Sequence, residues 1–325
     1  MREPAGILLL AVALSVAPAD VTAAAPGTPD STAADSLVAA ASPGFAFEPF
    51  LPPADAALDF EPAGIAADGF GRLFVSDAAH HRLIRFDAKG RVLGTAGGLG
   101  SERGELRHPG SVALLGNLSV VVLDLENYRV VGYDLFDRLR GVLVEFRSAE
   151  VEAAFGRVEP VALASDRGGG LYVADSERDR ILTFDFSGRP SREIGGFGPQ
   201  VGQFRGLSGV ALSRHGLIVT AERVNRRVQV LSADGAPRGS FDLPAVKRGG
   251  ALAVAVDDSM HVAVCDEGAG TVWLYDGGGR LIATASGLDR PRAVAFDREG
   301  AVLVAESGSG RILRGKRSSR PSGAR

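Results

Sequence analysis

An acid and an arginine five residues apart recur along the chain: Asp77 with Arg82, Asp124 with Arg129, Asp175 with Arg180, Glu222 with Arg227 and Glu306 with Arg311. Asp266 belongs to the same series, with Thr271 where the arginine would stand. A single pair of this kind in a cleft would be a candidate for proton transfer or for gripping a charged substrate. Six acidic anchors, about 40 to 50 residues apart, point elsewhere. One active site has no use for six copies, whereas a repeated fold needs the same fastener in every unit. The pairs are read as structural clamps that fix a loop and the contact between neighbouring units.

Histidine offers the other route to chemistry, through metal binding or general-base catalysis. His80, His81 and His108 fall in connecting segments at one end of the expected fold, His215 in a turn and His261 in a strand. No HExxH or CxxC spacing accompanies them, and neither a serine nucleophile elbow nor a phosphate-binding glycine loop is present. Arg107 and Arg205 hold equivalent places in two glycine-rich connectors, GELRHP and GQFRGL, two residues before Pro109 and Leu207. A guanidinium there suits a carboxylate or sugar hydroxyls. Arg107, His108, His80, His81 and Arg205 are therefore the candidate ligand-binding residues, with no catalytic residue and no metal ligand assigned. No cofactor is expected; calcium or zinc is the alternative. Cys265, the one cysteine, precedes its acidic anchor as Ser76, Ala174, Ala221 and Ala305 precede theirs. That pattern marks a small buried side chain, and a lone cysteine makes no internal disulfide.

The elements around each anchor are short strands. In the third repeat, VALAS (161–165), LYVA (171–174), RILTF (180–184) and SREIGG (191–196) alternate with the turns DRGGG, SERD and DFSG. The second and third of these strands are apolar on both faces, so the sheet must be covered on both sides. The first strands (GIAAD, SVALL, GVALS, AVAVD and AVAFD in the other repeats) are rich in small residues and suit the crowded centre of a ring. The expectation is an all-β fold: a six-bladed β-propeller of four-stranded antiparallel blades. The last repeat lacks a fourth strand, and FAFEPFL (Phe45–Leu51) is placed to supply it. This N-terminal strand would close the ring and remove its exposed edges. No sustained 3.6-residue period follows residue 43, so no helix is expected in the ring.

The P-x-G/A-V/I-A strand start, the LYVADSERDRI core and the glycine-rich connectors at 97–109 and 195–207 together resemble the NHL repeat. The resemblance runs from about residue 60 to residue 315. It implies the propeller fold and says little about activity. NHL-like propellers include RNA-binding modules, sensor domains of bacterial kinases and metal-dependent lyases. The lyases hold zinc with histidines from several blades, and the lactonase-type propellers need inward carboxylates and asparagines. Here the inner strands carry mostly Ala, Val and Leu, with Glu61 the one acid at the mouth of an inner strand.

The sequence organises as a signal peptide (1–24), an Ala/Pro/Thr-rich linker expected to be disordered (25–43), the propeller (44–315) and a basic tail expected to be disordered (316–325). GILLLAVALSVA (6–17) is a short apolar run after Arg2, which implies export to the periplasm or the medium, with an uncleaved anchor as the rival reading. No later segment is apolar enough to span a membrane. The formal charge of -3 gives no net attraction to nucleic acid or to an anionic membrane. The function expected is that of an exported, non-catalytic, monomeric propeller that binds a protein, peptide or envelope glycan. A metal-dependent lyase or lactonase is the alternative, and RNA binding, as in other NHL modules, is the least favoured.

Overall fold

Turns built on Asp, Ser and Gly separate β-branched runs of five to seven residues, and the runs pair with their sequence neighbours. The computed structural model describes residues 40–41, 45–51, 59–116, 118–244 and 249–317. The expected signal peptide, most of the linker and all but the first residues of the tail lie outside these. Six antiparallel sheets follow one another around a ring. Blade one spans residues 62–97, blade two 109–145, blade three 160–195, blade four 207–242 and blade five 252–286. Blade six takes three strands from residues 291–317 and its outermost strand from Phe45–Leu51. The six-bladed all-β expectation and closure by the N-terminal strand both hold.

Closure has a local cause. Along Phe45–Leu51 the side chains of Phe45 and Phe47 turn inward, while Ala46 and Glu48 face out. A register shift between Pro49 and Leu51 then turns Leu51 inward as well. Phe45 and Phe47 enter the apolar layer between blades five and six, with their rings edge to face at 5.0 Å. Leu51, with no exposed surface, enters the layer between blades six and one. One strand thus joins two interfaces. Upstream, Ala40–Ala41 pairs with Ala285 and Ser286 and adds a fifth strand to blade five, inside the segment expected to be linker. Downstream, the final strand continues through Lys316 and Arg317.

The core is divided into six layers, each filled by two adjacent blades. The second strands, such as Leu73–Asp77 and Leu171–Asp175, are buried at every position because a blade lies against each face.

One helix, Ala149–Phe155, corrects the expectation of an all-strand ring. Ser148 caps it, its Oγ accepting the Val151 N–H at 3.4 Å. Glu150 and Glu152 lie in the first turn, where carboxylates favour the N-terminal end of the dipole. Val151 and Phe155, four residues apart, bury one face against blades two and three. Gly156, at φ 69°, ends it. Seven residues are too few for a visible helical period, but the cap, the acids and the glycine were legible.

Candidate functional site

Five of the six inner strands begin with a register shift, between Pro62 and Gly64, Pro109 and Val112, Pro160 and Ala162, Leu207 and Gly209, and Pro291 and Ala293. A bulge re-aims the residue within it. The residues so placed are Ala63, Gly110 with Ser111, Val161, Ser208 and Arg292, and all line the upper channel. Arg292 is the one long charged side chain among them. Sequence reading passed over it because PRAVAF looked like every other inner strand; the signal was an arginine where its equivalents are small or apolar.

Arg292 is held at the mouth from two sides. Its Nη1 donates to Glu61 Oε1 at 3.3 Å, and its Nη2 lies 3.4 Å from His108 Nε2. His108 in turn donates its backbone N–H to His81 Nδ1 at 3.0 Å. Both histidines sit in the left-handed region, at φ 52° and 55°, so the connectors are bent specifically here. The expected group is therefore only partly assembled: His81 and His108 meet at the mouth with Glu61 and Arg292. Below them Ile65, Val112, Leu163, Val210, Val254 and Val294 form an aliphatic ring across the channel. The cavity above has a volume of about 280 Å³.

A groove of about 520 Å³ leaves the mouth across blades two and three, sharing Leu125 and Val161 with it. Arg107, Glu126, Tyr128 and Glu159 supply its polar lining. The Arg147 guanidinium stacks 3.6 Å from the centre of the Tyr128 ring, and the Tyr128 hydroxyl points at the Glu159 carboxylate, 3.4 Å away. The arrangement can recognise a polar ligand by an aromatic face, two carboxylates and an exposed guanidinium. Arg107 belongs to this groove.

The other two candidates serve elsewhere. His80 places its Nδ1 2.9 Å from Asp77 Oδ2, the oxygen that also accepts from Arg82, and so joins the first clamp. Arg205 stacks on the exposed Phe197 ring at 4.8 Å, with its Nε buried and unpartnered among the described residues. The equivalence of Arg107 and Arg205 holds for the backbone alone: their N–H groups donate to Asp124 and Glu222 at 2.7 and 3.1 Å.

The acid–arginine clamps form in four blades. Arg82, Arg129, Arg180 and Arg227 each donate Nε to the acid of their own blade at 2.8–2.9 Å. In blade two Arg129 also donates to the carbonyls of Ser101, Glu102 and Glu105, each at 2.8 Å, which ties down the connector from blade one. Arg227 does the same with Pro199, Gln200 and Gln203. Arg180 reaches the Phe155 carbonyl at 2.6 Å and so holds the helix end. Blades five and six differ. Asp266 lies 3.9 Å from Arg223 of blade four, in the absence of an arginine at Thr271. The expected Glu306–Arg311 pair is not formed: Glu306 accepts from the Asp289 N–H and the Ser309 hydroxyl, and Arg311 is exposed. Two short neutral donors have taken the place of the long charged one.

Among the described residues no group of three or more His, Cys, Asp or Glu is placed to hold a metal ion. No family model matches the chain, and no curated protein matches it. Solved structures do. A gluconolactonase from Xanthomonas campestris superposes with a TM-score of 0.62 at 14% identity, covering 86% of this chain and 96% of that one. Virginiamycin B lyase from Staphylococcus aureus gives 0.59 at 10%, over 84% and 98%. A chain of a nidogen/laminin complex gives 0.53 at 17%, over 70% and 80%. The chain shares its propeller fold with these enzymes and with this binding protein.

Proposed function

We propose that the chain is an exported, monomeric, NHL-type propeller that binds a protein, peptide or envelope glycan without transforming it. The observation that carries this reading is the mouth, where Arg292 is fixed between Glu61 and His108 above an aliphatic ring. The guanidinium keeps donors for a ligand carboxylate or hydroxyl, and the groove of Arg107, Tyr128 and Glu159 extends the contact outward. The aliphatic lining below supplies shape and dryness rather than a nucleophile or a ligand set.

The test uses peptide and glycan arrays probed with the wild type and with Arg292→Ala. One ligand class is expected to be captured, with capture lost in the variant at an unchanged melting temperature. Ligand cleavage or lactone opening that depends on added calcium or zinc would replace this reading with the enzyme one.

A further inference from the structure

The end of the ring opposite the mouth is uneven. Here the first strand turns into the second, and the third into the fourth. In blades one to three the tips of these turns carry Phe70, Leu118, Phe136 and Phe186, each 68–73% exposed. Val92 and Leu93, where the fourth strand of blade one begins, are 50% and 45% exposed. The turns do not need these side chains. The place of Phe70 is taken by Gly168, His215, Ser259 and Glu299 in other blades, and that of Phe136 by Lys89, Ser187, Asp234 and Gly278. The turn geometry comes instead from the leading aspartate: Asp68, Asp134 and Asp185 each accept two backbone N–H groups of their own turn.

Charge follows the same division. Lys89, Arg91, Arg138, Arg140, Arg167 and Arg189 stand exposed around the phenylalanines. In blades four to six the turns carry the exposed Arg214, Arg280 and Arg298 together with the exposed carboxylates Asp234, Asp258 and Glu299, whereas among the described residues no carboxylate in the corresponding turns of blades one to three stands exposed. The overall charge of -3 conceals this asymmetry.

We infer that this half of the end face docks on an anionic phospholipid bilayer. Separate aromatic tips projecting from turns suit insertion into a fluid interface better than packing against a protein surface, where a continuous patch fills a complementary one. Exposed guanidiniums beside them match anionic headgroups. The inference goes beyond the ligand reading and does not rest on it. Docking by this end leaves the mouth and groove, at the other end of the channel, facing away from the lipid.

The test is sedimentation of the full chain with phosphatidylcholine vesicles and with vesicles containing phosphatidylglycerol. The comparison is with a variant carrying Phe70→Ser, Phe136→Ser and Phe186→Ser. Stronger binding to the anionic vesicles is expected, weakened at least about tenfold in the variant at an unchanged melting temperature. Phe136→Trp gives a readout that the apolar N-terminal segment does not move. Its emission is expected to shift to the blue on anionic vesicles and to be quenched by brominated acyl chains. Vesicle binding without that shift, equal binding by the serine variant, or lipid-independent dimers that the serine substitutions abolish would overturn the inference, the last in favour of a protein partner.

Discussion

Blades one to four and blades five and six solve the same turn in two ways. In every blade the residue before the third strand is in the left-handed region: His81, Tyr128, Asp179 and Arg226 at φ 48–55°, Gly270 and Gly310 at 60° and 61°. A residue with a side chain pays about 1–3 kcal/mol to stay there unless its surroundings hold it. The four blades with a side chain at this position are the four whose acid and arginine pair. The two with glycine lack that pair within the blade, Asp266 facing Arg223 of blade four instead. The clamp and the strained turn therefore go together, and glycine makes the clamp dispensable. A repeated acid in the sequence marks the turn, not the means by which it is held.

The strongest challenge to this contrast is Arg129→Ala. Asp124 has no exposed surface, and Arg129 also holds three carbonyls of the incoming connector. Removing the arginine leaves a buried carboxylate without its cation, at a cost of about 3–5 kcal/mol. Denaturant unfolding measures it. A loss under about 1 kcal/mol would show that the connector is fastened by something other than the clamp.

Gly270→Ala probes the other solution. The new Cβ would lie 2.5 Å from the Leu288 carbonyl oxygen, on a backbone at φ 60°. With no arginine of blade five at the clamp position, where Thr271 stands, the expected loss is about 1–3 kcal/mol. A variant as stable as the wild type would mean that blade five tolerates the strain without a clamp, and the contrast between the two groups would fail.

Arg311→Ala should do almost nothing, within about 0.5 kcal/mol, because the side chain is exposed and makes no ion pair with Glu306. Calorimetry beside Arg129→Ala gives the sharpest internal comparison, since the two arginines hold the same place in the repeat. Equal losses would return Arg311 to the structural role its spacing suggested.

Much of this was legible, and the failures have physical causes. Strand period, turn chemistry and the acidic anchors depend on local sequence, so the blades and the closing strand Phe45–Leu51 could be read directly. The partner of each anchor depends on which donor is nearest in space. Arg311 and Arg180 look alike in sequence, but Ser309 and the Asp289 N–H fill the carboxylate in one blade only. Arg205 diverges from Arg107 because Phe197 gives it a ring to lie on. Arg292 escaped notice because a bulge, invisible in composition, turns it to the channel.

Cys265 supplies the smallest and most local test. It sits one residue before Asp266, in a blade with no arginine clamp of its own, and has no exposed surface. Burial pushes its thiol up to about 12, so the reactive thiolate is absent at neutral pH and labelling must wait for the blade to open. Ala174 holds the same place in clamped blade three and is equally buried. A chain with Cys265→Ala and Ala174→Cys moves the probe from one kind of blade to the other. If clamps set the cost of local opening, Cys265 should be labelled several-fold faster than the thiol at position 174, at matched global stability. The folded state is barely altered, so the difference reports opening alone. Equal rates would mean that blades open only with the whole ring, and that the clamps add to global stability without shaping where the ring first gives way.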